Sequence, residues 1–369
     1  MRRVLVLVVL SLMVFGCSKK EDHGGHGHSH DFPALYPALE RGKYGFVNKE
    51  GKMIIPPKFE LVEGFTEGCS RVRLRGLWGF VDHTGRQFVE CKFDNVQRFG
   101  DGLGPVQSGG GWGFVDREGN LVIDLKYGYT AGFSEGLASV QVGSKFGYIN
   151  KENEMVIEPA YSNPGKFIEG FARVTIDKKT WAYLAKDGTI LGDTWYERVE
   201  PFSQGLGQVQ IDGKWGFIDT KGNIVIEPIY SITYPFSYDR AVVGHPAEGQ
   251  WMVIDRKGNV IVEPGYQFIR PFQDGLSAFS KGGSWGVMDV DGKIVLEPTP
   301  GRVLQNFSEG LAPFRREGKW GFIDRKGKVV IEPTFDEVHE FHDGIAMVRI
   351  ERGRGYINKS GVYILDPTR

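Results

Sequence analysis

Cysteine is scarce. The 369 residues carry three, Cys17, Cys69 and Cys91, too few for a disulfide framework. An excess of either charge is also missing: 45 basic residues meet 46 acidic ones, and a net charge of −1 argues against bulk electrostatic binding to nucleic acid. The longest apolar run, Val4 to Phe15, is interrupted at Ser11 and falls short of the ~20 residues needed to span a bilayer. Histidine is sparse outside one tract, and no Gly-x4-Gly-Lys-Ser/Thr phosphate loop occurs. No grouping of serine, histidine and aspartate stands out as a nucleophilic triad. No cofactor site and no catalytic residue is expected from these absences.

Glycine and aromatic residues are plentiful. The chain holds 52 Gly, 25 Phe, 14 Tyr and 8 Trp, and its hydrophobic fraction of 41% is enough to bury a large core. Together these predict an all-β protein of many turns and short strands. The aromatics are periodic. Aromatic–Gly pairs fall at Tyr44, Trp78, Trp112, Phe146, Trp215, Trp285 and Trp320, with degenerate copies at Trp181-Ala182, Trp251-Met252 and Arg354-Gly355. Successive positions lie 34 to 36 residues apart, and seven of the eight tryptophans occupy this slot. The tryptophans therefore belong to the architecture and not to a cofactor site.

The clearest copy is Gly318-Lys-Trp-Gly-Phe-Ile-Asp-Arg-Lys-Gly-Lys-Val-Val-Ile-Glu-Pro333. Trp320 to Asp324 has the aromatic and β-branched content of a strand. Asp324 to Gly327 predicts a type I turn with a glycine bulge. The Asp accepts from the turn's own N–H groups, and the Gly takes positive φ without strain. The returning strand should stop at Pro333, which has no N–H to give. Nine of the ten copies place Asp or Asn first in the turn, Ala185 being the exception; nine place Gly fourth, and the tenth has Asn153, the next most tolerant residue. A second signature, Phe-x-x-Gly-Leu-Ala-x-Val, as in Phe133 to Val140, adds a bend and a further strand. About three strands per unit are expected. Their apolar residues on both faces require neighbouring units to cover them, and the Gly of each pair is expected to admit a neighbouring backbone.

At these residues the sequence resembles the WG-repeat family, also called KWG repeats. The resemblance spans about residues 36–367. It implies a β-rich repeat domain of bacterial, often envelope, proteins, with no shared catalytic residues. Ten such units predict an open or spiral stack, with a closed propeller-like array as the alternative. Units of 34 residues are short for propeller blades, and no split unit is evident to fasten a ring.

The N-terminus reads as an address. Arg2 and Arg3 precede the short apolar run, and Val14-Phe15-Gly16-Cys17 resembles a bacterial lipobox. Three segments follow: a signal peptide over 1–16, a lipidated and His/Gly-rich flexible tether over 17–31, and the repeat domain over 32–369. Lipidation at Cys17 would hold the chain on a membrane. His23, His26, His28 and His30 in the tether are candidate metal ligands, with no imposed geometry.

Residues outside the repeat are where a ligand surface would be sought. Trp195, the one tryptophan off the slot, its neighbour Tyr196, and His245 in the longest insertion are the candidates. His339 and His342, with Glu337 and Asp343, form a weaker metal candidate, and a Cys69–Cys91 disulfide is conceivable in an oxidising envelope. The expected function is a non-catalytic, lipid-anchored envelope protein whose repeat surface binds protein partners. The alternatives are a carbohydrate or peptidoglycan binder using off-pattern aromatics, and a metal-related lipoprotein using the tether.

Overall fold

The computed structural model describes residues 34–245, 250–351 and 353–368. The segment expected as a signal peptide, Cys17, and the histidines of the expected tether lie outside the described residues. Within them the chain forms ten consecutive antiparallel sheets, eight of four strands, the first of three and the fifth of two. Strand order in each sheet follows chain order, so each is an open meander. No strand passes between the last sheet and the first to lock the array. The ninth sheet is representative: Val303–Leu304, Leu311–Arg316, Lys319–Asp324 and Val329–Phe335.

The unit therefore has four strands, not three, and the strand expected to end at Pro333 continues to Phe335. The slot glycine explains the continuation. Trp320 pairs with Phe335 and Phe322 with Ile331, so two residues on one strand face four on the other. The excess passes over Gly321 as a bulge, with Pro333 N only 2.7 Å from where a β-carbon on Gly321 would sit. A proline within a bulge forfeits no ladder bond. Gly216 is overlain likewise, the Ile226 carbonyl oxygen lying 2.5 Å from its virtual β-carbon.

The turns form as the sequence predicts. Asp219 accepts from the N–H groups of Lys221 and Asn223, Asp324 from those of Lys326 and Lys328, and Asn150 from that of Glu154. Asn153 takes φ of 65° in the glycine position. Where Ala185 has replaced the capping residue, Asp187 accepts from Thr189 instead.

These caps make stability depend on acid. The Asn223 amide, joined by the turn's backbone N–H groups, holds the Asp219 carboxyl below its usual value of 3.8, and the Thr189 hydroxyl does so for Asp187. A carboxyl with a folded-state pKa below its unfolded value contributes stability that is complete above the unfolded pKa and is lost as pH falls through the folded one. The urea midpoint is therefore expected to fall between about pH 5 and about pH 2.5. Asp219→Ala should show a smaller fall, and an equal fall in the variant would exclude the Asp219 cap as a source.

Nine apolar clusters fill the nine junctions between consecutive sheets. Phe322 and Ile323, adjacent in one strand, are both fully buried because a neighbouring sheet covers each face. Seven of the nine junctions share one aromatic pair. Phe217 packs edge-on against Phe236 at 4.8 Å between ring centres, and Phe322 against Phe341 at 4.7 Å. The pattern continues at the ends of the array. Tyr356 of the last sheet meets Tyr36 of the first at 5.5 Å, and Gly51 of the first sheet lies against the Ile364 carbonyl. Packing, not strand pairing, makes that seam.

In several repeats the acid before the bend glycine spans a junction as well. Glu169 accepts from the N–H groups of Gln204 and Gly205 at 2.8 Å each, Glu67 from Asp101 and Gly102, and Glu309 from Gly344. Turn cations close over several of them, Lys359 on Glu309 at 2.9 Å and Arg117 on Glu67 at 3.0 Å.

Candidate functional site

The fifth sheet breaks the pattern. Its strands are Phe171–Val174 and Ala182–Ala185 alone. Ala182 stands in the glycine slot, and its β-carbon occupies the space a crossing strand uses elsewhere. Met252 occupies the same slot in the seventh sheet, but the facing strand there carries Gly265 at φ 148°, a path open to glycine. After Ala185 no Ile-Glu-Pro follows. The chain makes a short 3-10 turn at Leu191–Asp193 and returns through a bridge between Trp181 and Tyr196.

The sequence candidates separate here. Tyr196 is 6% exposed and lies in the core between the fifth and sixth sheets, so the expected stacking surface is corrected. Trp195 is half-buried and packs against the cluster of the fourth and fifth sheets. The break in the repeat turns both rings inward, where they cover sheet faces left bare by the missing strands. His245 sits apart in the seventh sheet's hairpin, its N–H bonded to the Gln250 carbonyl at 2.7 Å.

His339 lies 3.6 Å from Glu337, and His342 joins the bend to Ile345 through its backbone. No cluster of three or more His, Cys, Asp or Glu side chains placed for a metal occurs among the described residues. Cys69 and Cys91 are free thiols. Cys69 packs into the junction of the second and third sheets and Cys91 into that of the first and second, on opposite faces of the second sheet, so no disulfide joins them. Burial pushes the Cys69 thiol up to about 12, leaving it protonated and inert at neutral pH. Gly282-Gly-Ser284-Trp-Gly286 has the spacing of a nucleophile elbow, but Ser284 opens the strand Ser284–Asp289 within a hairpin, not a strand-to-helix turn.

A cleft of about 350 Å³ opens between the hairpin of the fifth sheet and the first strand of the sixth, Arg198–Ser203. Arg173, Lys178, Lys179 and Arg198 line it with Glu197, Glu200 and Trp181. The carboxylates are committed: Glu200 pairs with Arg173 at 2.7 Å, and Glu197 accepts from the Gly213 N–H at 2.9 Å. Arg173 also donates to the Val199 carbonyl. The two lysines project from a hairpin loop held by Asp177, which accepts from the N–H groups of Lys179 and Thr180. Those bonds, Thr180's foremost, keep the Asp177 carboxyl ionised below its usual range. The cleft was not foreseen from the sequence. Its signal was the replacement of the slot glycine by Ala182 directly after a Lys-Lys pair.

The profile of the WG containing repeat matches residues 44–78, 78–112, 112–146, 146–179, 196–215, 215–244, 251–285, 285–320 and 320–352. The chain belongs to the WG-repeat family. The gap between matches at 179 and 196 falls on the degenerate part of the fifth repeat, and the last match ends after the first two strands of the tenth sheet. No curated protein matches the WG-repeat chain in sequence. Among solved structures it is similar to one described as the eukaryotic initiation factor, at 11% identity, covering 83% of this chain and 96% of that one with a TM-score of 0.53. At that identity the likeness is one of fold. A computationally designed protein, Ika8, aligns at 15% identity over 73% of this chain and 93% of its own, with a TM-score of 0.38. BamB from Moraxella catarrhalis aligns at 12% over 71% and 87%, with a TM-score of 0.36.

Proposed function

We propose that this WG-repeat protein is a non-catalytic binding protein, held on the bacterial envelope through a lipid on Cys17, that presents its outer strand edges to protein partners. One observation carries the reading. The fourth strand of a sheet is an unpaired edge, and at the same register position it exposes Val122, Val156, Val225, Val295 and Val330. Exposed Glu158, Glu227, Glu297 and Glu332 lie two residues further along four of these strands. Free N–H and C=O groups beside alternating aliphatic and acidic side chains suit an extended segment with aliphatic and basic residues. The recurrent acids elsewhere are engaged in turns and junctions, which supports a scaffold over a catalyst.

The test is a crosslinked pull-down from native membranes with full-length protein, Cys17→Ser and a Val225→Lys/Val295→Lys variant. Incorporation of labelled palmitate should be lost in Cys17→Ser. A partner should be enriched by the unmodified protein and lost with the edge variant. Lipid labelling that survives Cys17→Ser, or a partner retained by the edge variant, would reject the anchor or the edge respectively.

A further inference from the structure

We infer that the cleft beside Trp181 binds an anionic saccharide, a sugar carrying a carboxylate or phosphate group. The inference is independent of the edge-strand reading, since no residue lining the cleft lies on an outer fourth strand.

Four properties converge on this ligand class. The cleft, at about 350 Å³, lies at the small end of ordinary small-molecule sites. Its charge is one-sided: four cations face two carboxylates, and both carboxylates are already bonded within the protein. Lys178, Lys179 and Arg198 make no ion pair with any described residue, so three cations stand at the opening of a protein with net charge −1. Uncompensated cations around a concave surface raise the local concentration of anions. Trp181 supplies a half-buried aromatic wall, fixed by its backbone bonds to Tyr196 at 2.7 and 2.8 Å. An indole face suits the C–H face of a sugar. The other lining groups are mostly polar or charged, which disfavours an apolar ligand.

The arrangement is local to one repeat. Lys178 and Lys179 belong to the same hairpin loop, and Arg198 enters from the first strand of the sixth sheet, Arg198–Ser203. The cations thus approach from two elements of neighbouring sheets. Arg173, anchored to Val199 and Glu200, ties the two sides together and is not itself available to a ligand.

The experiment is isothermal titration of the full-length protein in detergent with trigalacturonate, with a neutral trisaccharide of similar size, and with inorganic phosphate. Trigalacturonate should bind, weaken as salt rises, and lose roughly tenfold or more in affinity with Lys178→Ala/Lys179→Ala and with Arg198→Ala. Trp181→Phe should weaken binding while keeping the fold, as judged by the thermal midpoint; Lys221→Ala, on an exposed turn outside the cleft, should change nothing. No binding of trigalacturonate, equal binding of the neutral sugar, or indifference to the cleft variants would overturn the assignment. Phosphate binding as tightly as trigalacturonate would also overturn it, leaving a simple anion site.

Discussion

Gly216→Ala is expected to cost about 3 kcal/mol or more of stability, whereas Gly213→Ala, three residues away, costs about 1 kcal/mol. The two glycines are needed for different reasons. Gly213 has φ of 71° with open space around it, so a methyl group there meets only the penalty of a left-handed backbone. Gly216 is in the strand Lys214–Ile218 without positive φ, and its virtual β-carbon sits 2.5 Å from the Ile226 carbonyl oxygen and 2.7 Å from Pro228 N. Both obstacles are backbone, and backbone cannot rotate aside. The fourth strand must lift, and its edge pairing and the Ile226 contact with the next sheet go with it. Urea melts of both variants decide the point: a Gly216→Ala loss no larger than that of Gly213→Ala would show that the bulge can move freely.

Phe236→Ala is expected to cost about 3–5 kcal/mol, the range for removing a large buried aromatic. Phe236 is 2% exposed and joins the cluster shared by the sixth and seventh sheets. Its loss also removes the edge-on contact with Phe217 and leaves a cavity lined by two different sheets, which limits collapse around it. In a stacked array each sheet is held by its neighbours, so the damage should concentrate at one junction. Hydrogen exchange should show faster opening over 206–254 than over the junction of the ninth and tenth sheets. Uniform acceleration along the chain would mean that the array unfolds as one cooperative unit.

Both predictions rest on features partly visible in the sequence. The slot glycine and bend phenylalanine recur so regularly that their structural importance needs no coordinates. What each touches was not readable. The sequence suggested that a backbone approaches the glycine, yet it placed the strand end at Pro333 and so missed the bulge that makes the approach. Proline's missing N–H was weighed correctly, but whether a ladder bond was due at that position depends on register with the strand opposite. Tyr196 was misplaced for a similar reason. An off-pattern aromatic looks available for a ligand until a missing strand is seen to have left a face that the ring must cover.

The candidate site was the least legible part. Arg173, Lys178, Lys179, Trp181 and Arg198 span 26 positions in the chain and form no motif of known spacing. They meet because the hairpin of the fifth sheet packs beside the first strand of the sixth.

The sequence by itself determined the repeat, its turns and its all-β character. An Asp or Asn cap, a glycine at positive φ and alternating β-branched residues act over fewer than about ten residues, and their energetics are settled locally. The tertiary structure decided the fourth strand, the acids that brace one unit to the next, the Tyr36–Tyr356 seam and the cleft at the fifth sheet. The fourth strand and the cleft join groups within a repeat length whose pairing the local sequence does not fix. The bracing acids and the seam join groups one repeat or more apart in the chain, brought together only when sheets bury each other's faces. That burial is set by register and stacking, which no single unit contains.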